Sequence, residues 1–189
     1  WREELRKSKS NKERTQIKRV HMNELAPVYR ITNKEEVNQG LTKEQAMTEA
    51  SRCLDCPTPL CMTGCPVQIN IPKFIKNIER GEILEAAKTL KETSALPAVC
   101  GRVCPQEKQC ESKCFYTQKM GKDAVAIGYL ERFAADYERE SGQISVPEIK
   151  VHNGIKIAVV GSGPAGLAFA GDMAKYGYNV TVFEALQED

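Results

Sequence analysis

Histidine is scarce in this 189-residue chain: only His21 and His152 occur, both far from any cysteine group, and Trp1 is the single tryptophan. Structural zinc is held by four cysteine or histidine ligands, so histidine could contribute little to such a site. No run approaches the ~18 apolar residues of a membrane-spanning helix, which gives no membrane partner. The N-terminus lacks the apolar core of a secretory signal, although the chain does not start with Met and is expected to be incomplete there. The compartment expected is the cytoplasm, where thiols stay reduced and clustered cysteines point to metal or redox chemistry. One sign of charge does not dominate either, the formal net charge being +2. Residues 1–20 carry eight Lys/Arg against three Glu, a local net of +5. With one aromatic and no nucleic-acid motif after it, this arm is expected to be a solvated leader and not a nucleic-acid contact. Solenoid repeats and low-complexity tracts are absent.

What the chain has is cysteine, eight in two groups. The first is Cys53-x2-Cys56-x4-Cys61-x3-Cys65-Pro66, the second Cys100-x3-Cys104-Pro105-x4-Cys110-x3-Cys114. Cysteines two or three residues apart can set their sulfurs around one cubane, with a remote cysteine closing the fourth corner. Thiolates are the soft ligands that iron in such clusters takes. In two-cluster ferredoxins the Cys before Pro ligates the other cluster. By that logic Cys53, Cys56 and Cys61 hold one cluster and Cys65 crosses to the second. The competing reading is a zinc-stabilised structural or binding module without redox activity. Neither group is a pair of C-x2-C knuckles, so zinc fits poorly.

Around the cysteines the pattern is helical. Thr42 and Gln45 have capping-box spacing, with Leu41 and Ala46 placed as a hydrophobic staple. Asn70 reads as the N-cap of a helix whose Ile71, Phe74, Ile75 and Ile78 form one apolar face. Gly81 ends it, and Ile83, Ala86, Ala87 and Leu90 repeat the spacing. A longer helix is expected from near Asp123, with Ala126, Leu130, Phe133, Ala134 and Tyr137 as its buried stripe. Ser141 to Pro147 reads as a linker.

Beyond it Lys156–Val160 is a β-rich run leading into Gly161-Ser162-Gly163-Pro164-Ala165-Gly166, a helical stretch, and a second strand ending at Glu184. This is G-x-G-x-x-G between strand and helix, the context in which it binds dinucleotides. Gly161 permits the tight turn, Gly163 the approach of the pyrophosphate, and Gly166 the packing of helix on strand. Glu184 follows Gly161 by 23 residues, where an acid binds a ribose hydroxyl pair. The fingerprint does not separate FAD from NAD(P). A doubly wound sheet needs more than two strands, so the chain is expected to be a fragment cut inside its nucleotide domain.

Arg52-Cys53-Leu54-Asp55-Cys56, Leu96-Pro97-Ala98-Val99-Cys100-Gly101-Arg102-Val103-Cys104-Pro105-Gln106 and Ile127-Gly128-x-Leu130-Glu131-Arg132-Phe133 carry a resemblance over about residues 20–189. They resemble the family of the small (β) subunit of NADPH-dependent glutamate synthase. That family includes the large subunit of the bifurcating NADH-dependent ferredoxin:NADP oxidoreductase and, more distantly, the N-terminal domain of dihydropyrimidine dehydrogenase. The resemblance implies a mainly α architecture. A helical, α-helical-ferredoxin-like domain with two [4Fe-4S] clusters spans 41–146, after an arm at 1–40. The first β-α-β of a truncated Rossmann-like α/β FAD-binding domain follows at 147–189. It assigns Cys53, Cys56, Cys61 and Cys114 to the first cluster, and Cys65, Cys104, Cys110 and Glu131 to the second. A carboxylate ligand is hard and negative and should lower that cluster's potential. The plain alternative is a solvent-facing helix glutamate at Glu131, with Cys100 as the fourth ligand. Gly161, Ser162, Gly163, Pro164, Ala165, Gly166 and Glu184 fall on the adenosine-diphosphate part of FAD. The activity implied is an NAD(P)H-dependent FAD and iron–sulfur oxidoreductase, catalytically complete only in a full-length parent that also binds NAD(P)H. The partner implied is a glutamate synthase large subunit or a ferredoxin-linked flavoprotein subunit.

Overall fold

The computed structural model describes residues 1–149 and 151–186. Residues 150 and 187–189, which fall within the expected 147–189 segment, lie outside the described residues. The chain divides into two compact units. The first comprises Trp1–Thr93 and Pro97–Gln143, and the second is built from Ile144 onward together with Ser94–Leu96.

In the first unit the N-terminal arm is ordered. Helices α1 (Arg2–Ser8) and α2 (Asn11–Arg14) are followed by β1 (Asn23–Glu24), α3 (Pro27–Arg30) and β2 (Asn38–Gly40). The strands β1 and β2 pair antiparallel. The expectation of a solvated leader holds for most of residues 1–20, which are exposed, but not for Arg14. Arg14 is 1% exposed and donates to the carbonyls of Ser51 (2.6 Å), Leu5 (2.5 Å) and Lys9 (3.1 Å) and to Glu79 Oε1 (2.7 Å). A buried guanidinium is tolerated only when its donors find acceptors. The arm's positive charge is thus partly turned inward, which a count of charges along the sequence does not reveal.

Helix α4 (Lys43–Ser51) starts at Thr42 with the expected capping box to Gln45. After the short α5 (Leu60–Thr63), α6 (Ile71–Arg80) is capped by Asn70 and ends at Gly81, whose φ of +85° suits glycine. Helices α7 (Ile83–Lys91), α8 (Pro97–Val103) and α9 (Ile127–Ser141) complete the unit. Helix α6 packs on α4 and α7, and α9 on α7 and α8. Phe74, Ile75, Ile78, Leu90, Leu130 and Ala134 form the centre of the core, each large side chain contributing about 1.5–3 kcal/mol by burial.

Helix α9 begins at Ile127, four residues later than Asp123. The carbonyls of Asp123 and Ala124 accept from Arg52, and the Ala126 N–H donates to Glu49 Oε1 at 2.8 Å. Buried side chains therefore hold this backbone out of the helix. Helix α8 forms where the sequence pattern predicts no element.

The second unit contains β3 (Lys156–Val160), α10 (Pro164–Lys175) and β4 (Asn179–Phe183). The strands are parallel, in register from Lys156 opposite Asn179 to Val160 opposite Phe183. This is the strand–turn–helix–strand expected from the glycine pattern. Among the described residues no helix is long and apolar enough to cross a membrane.

Candidate functional site

The first site forms where the Cys53–Cys61 loop meets α6 and the segment around Cys114. Cys53, Cys56, Cys61 and Cys114 all line one cavity of about 90 Å³. Its other walls include Leu54, Ile71, Ile75, Tyr116 and Ile127, which are apolar or aromatic. Burial raises the thiol of Cys53 to about 11 and pushes those of Cys56 and Cys61 up as well. Neighbouring cysteines add to the effect at Cys61. Thiolates are therefore unfavourable in this cavity unless a bound cation neutralises them.

Two buried ion networks shape the loop that carries Cys53 and Cys56. Arg52, 2% exposed, donates to the carbonyls of Ile17, Ala124 and Asp123, pairs with Glu49, and lies over the Tyr116 ring at 5.0 Å. Tyr116 in turn donates to the Arg52 carbonyl at 2.8 Å. Asp55 takes a left-handed backbone, φ +51°. Its carboxylate, fully buried, accepts from Arg2 and, at 2.8 Å, from Arg6. Burial alone would raise the Asp55 carboxyl, but the two guanidinium partners hold it below its usual value.

The second site draws on three elements. The backbone turn at Gly64 lies so close to Gln109 and Cys110 that a Cβ there would sit 2.6 Å from the Gln109 carbonyl oxygen. That approach sets Cys65 near Cys110. At Gly101 a Cβ would meet the Arg132 backbone nitrogen at 2.6 Å, so α8 and α9 touch backbone to backbone. That contact brings Cys100 and Cys104 to Glu131. Arg102 locks the same interface by pairing with Asp136 (2.8 Å) and Glu36 (2.9 Å). Cys104 is raised to about 11 by burial, then by Cys100, Glu131 and Cys65 beside it. Cys110 is raised to about 12 by burial, then by Glu111, Cys65 and Glu131.

Glu131 itself is 6% exposed, which removes the solvent-facing alternative. Its carboxyl is raised to about 7 by burial. Its Oε1 is the one buried side-chain oxygen or nitrogen without a hydrogen-bond partner among the described residues. Buried polar atoms are nearly always partnered, and an orphan calls for an unseen ligand. An iron ion bonded to that oxygen would supply one. Cys100 stands beside Cys104 and so is also brought to this site.

Zinc–sulfur bonds of ~2.3 Å bring tetrahedral thiolates within about 4 Å of one another. Among the described residues, no three His, Cys, Asp or Glu side chains converge as a single metal ion requires. His21 and His152 join neither cysteine set. No cysteine forms a disulfide.

At the dinucleotide turn Gly161 has φ +97°, a conformation open to glycine. A Cβ at Gly166 would stand 2.2 Å from the Gly161 carbonyl oxygen, so only glycine lets α10 pack on the turn. Gly163, the N-cap of α10, faces open space. Pro164 and Ala165 begin the helix, where free N–H groups favour phosphate. Glu184 lies beside the turn. Its carboxylate accepts from Ser162 N (2.8 Å), Ser162 Oγ (2.7 Å), Ala185 N (2.8 Å) and Leu186 N (2.9 Å). The hydrogen bonds from Leu186 and Ser162 hold its carboxyl down at about 2.

Sequence reasoning missed Asp55, Lys76 and the two glycine contacts at Gly64 and Gly101. Glycines next to or within the cysteine groups were the one signal available for the last two. Nothing in the sequence marks Lys76, which is fully buried and donates to the Cys53 carbonyl.

A helical unit that gathers two cysteine sets, followed by a dinucleotide turn, defines an iron–sulfur protein with a nucleotide-binding segment. Comparison with known proteins gives the family. Residues 30–143 match the family described as dihydropyrimidine dehydrogenase domain II, 4Fe-4S cluster, and the chain belongs to it. Residues 159–188 match an NAD(P)-binding Rossmann-like domain. The small chain of NADPH glutamate synthase from Escherichia coli (strain K12) is 40% identical over 149 residues, 79% of this chain and 31% of that protein. The NAD-dependent dihydropyrimidine dehydrogenase subunit PreT of the same organism is 41% identical over 152 residues, 79% of this chain and 36% of that protein. The glutamate synthase small chain of Azospirillum brasilense is 35% identical over 149 residues, 79% of this chain and 31% of that protein. The chain thus spans about a third of the length of these relatives.

Proposed function

We propose that this chain is the electron-relay part of an NAD(P)H-dependent iron–sulfur flavoprotein oxidoreductase. Residues 41–146 act as the iron–sulfur domain, the arm at 1–40 folds onto it, and 147–189 contribute to an FAD domain. Clusters bound here supply one-electron transfer, and FAD converts it to the two-electron chemistry of a nicotinamide. Cys53, Cys56, Cys61 and Cys114 hold the first cluster. Cys65, Cys104, Cys110 and Glu131 hold the second, with Cys100 beside it but outside its ligand set. The observation that carries this reading is the unpartnered, buried Oε1 of Glu131, whose charge is felt by the thiols of Cys104 and Cys110.

The chain's own residues prepare both sites. The apolar walls formed by Leu54, Ile71, Ile75 and Ile127 keep water from the first site. Arg52, Asp55 and the arm hold the Cys53–Cys56 turn in one conformation. Gly161, Gly163 and Gly166 let backbone and phosphate approach, and α10 directs its N-terminus to the pyrophosphate, with Ser162, Pro164 and Ala165 completing the turn. Glu184 binds the ribose hydroxyls by giving up its bonds to Ser162. The exposed Val160, Leu167, Phe169 and Phe183 are the apolar faces on which further elements of a larger sheet domain pack. The relay serves a glutamate synthase large subunit or a ferredoxin-linked flavoprotein subunit, with NADPH or NADH as the reductant, a reading supported by the glutamate synthase small chains among the relatives.

The test is anaerobic reduction of the full-length protein. Adding NADPH or NADH is expected to bleach the broad absorption near ~400 nm that iron–sulfur clusters give. Bleaching by dithionite but by neither nicotinamide would contradict the proposed electron source.

A further inference from the structure

Where an electron rests between two sites of the same inorganic core is set by the difference of their potentials, and a cluster's potential follows the charge and hydrogen bonding around it. The electrostatic surroundings of the two sites here are unlike. Lys76 on α6 is fully buried. Its Nζ donates to the carbonyl oxygen of Cys53 at 2.5 Å and to Glu79 Oε2 at 2.6 Å. Glu79 is shared with Arg14, whose guanidinium reaches Glu79 Oε1 at 2.7 Å. Two cations and one anion leave this buried triad with a net charge of +1. Asp55 brings an opposing charge to the same loop, but it is itself paired with Arg2 and Arg6.

Among the described residues no buried lysine stands at the second site, and the nearby Arg102 and Arg132 are paired with Glu36 and Asp136. The charged groups beside Cys104 and Cys110 are Glu131 and Glu111. Glu111 is balanced by Arg19 at 2.9 Å, which leaves the carboxyl of Glu131 without a neighbouring cation of its own among the ion pairs of the described residues.

We infer that Lys76 is a tuning residue that raises the potential of the first cluster above that of the second, making the first the electron sink of the pair. The inference rests on the two-cluster reading above. Reduction adds one negative charge to a cluster. A fixed ammonium next to it stabilises the reduced form more than the oxidised form, and low local dielectric enlarges the effect. Lys76 is a positioning charge and touches no iron: it acts through the Cys53 backbone and across space. Its burial matters, because an exposed lysine would be screened by water and salt. Glu79 and Arg14 hold it in place, and Arg14 belongs to the N-terminal arm. The arm therefore contributes to the potential as well as to the packing.

The experiment uses the full-length protein, purified without oxygen. Iron and sulfide content is measured first, and each cluster is then titrated potentiometrically with detection by electron paramagnetic resonance. Glu131→Ala assigns the second cluster's signal. Lys76→Met is expected to lower the reduced-to-oxidised ratio of the first cluster at a fixed potential by about tenfold, equivalent to 59 mV for a one-electron couple. The second cluster's midpoint stays unchanged. Glu79→Gln removes the anion that offsets Lys76, keeps one of its two acceptor oxygens, and is expected to move the first cluster the opposite way. Lys76→Arg keeps the charge and restores the native midpoint. Loss of packing would not give opposite signs from two members of one triad. Unchanged midpoints in Lys76→Met, equal shifts of both clusters, or shifts of the same sign in Lys76→Met and Glu79→Gln overturn the inference. If Lys76→Met does not retain its iron, the sign found for Glu79→Gln decides. A wild-type protein without iron and sulfide would instead overturn the two-cluster reading itself.

Discussion

Asp55 sits between Cys53 and Cys56 with φ +51°, and its buried carboxylate is gripped by Arg2 and Arg6 from the N-terminal arm. Replacing it with alanine removes both ion pairs and leaves a Cβ in the left-handed region. A hydrogen bond to a charged group contributes about 1.5–3 kcal/mol when shielded. The arginine side chains are 33% and 47% exposed, so each ion pair is worth less here, about 0.5–1 kcal/mol. Asp tolerates the left-handed region through its local hydrogen bonding, whereas alanine does not, at a cost of about 1 kcal/mol. Asp55→Ala should therefore destabilise the first unit by about 2–3 kcal/mol. Asp55→Gly loses the same ion pairs but not the backbone preference, and should cost about 1 kcal/mol less. Anaerobic urea unfolding followed by circular dichroism gives both values from the shift in midpoint at constant slope. Equal losses in the two variants would refute the backbone part of the reasoning. A loss below about 0.5 kcal/mol in both would refute the idea that the arm holds this turn.

Gly101→Ala should force α8 away from Arg132 on α9, costing about 1–3 kcal/mol by overpacking and changing the electron paramagnetic resonance signal of the second cluster while sparing the first. Glu131→Ala should disturb the second cluster's spectrum, and Cys100→Ala should leave it intact; the reverse outcome would make Cys100 the fourth ligand. Glu184, whose carboxyl is held down at about 2, should retain its bonds to Ser162 above its ordinary value of 4.5 and lose them as pH falls through about 2. A depressed carboxyl stabilises the folded form only while ionised, so the Ser162 amide signal in a nuclear magnetic resonance titration should shift in that acid range and not near neutrality.

Much of the helical unit is legible in the sequence because local rules suffice there. The Thr42–Gln45 capping box, the Asn70 cap, the apolar face from Ile71 to Ile78 and the stop at Gly81 all depend on residues a few positions apart. The same is true of the turn at Gly161–Gly166, where each glycine has a separate steric cause. What escaped the reading is non-local. Arg14 is drawn inward by Glu79, 65 positions away, and Arg52 holds Asp123 and Ala124 out of α9 from over 70 positions away. Charge along the sequence cannot distinguish a solvated arginine from a buried one whose acceptors come from elsewhere. Glu131 was named by resemblance alone. Its burial and its unpartnered oxygen now give a physical reason to treat it as a ligand.

The measurement that bears most directly on the central claim is elemental analysis of the anaerobically purified protein, taken with its absorption spectrum. Two [4Fe-4S] clusters predict about eight iron atoms and eight acid-labile sulfides per chain, with a broad band near ~400 nm. A colourless protein with stoichiometric zinc and no sulfide would contradict the account.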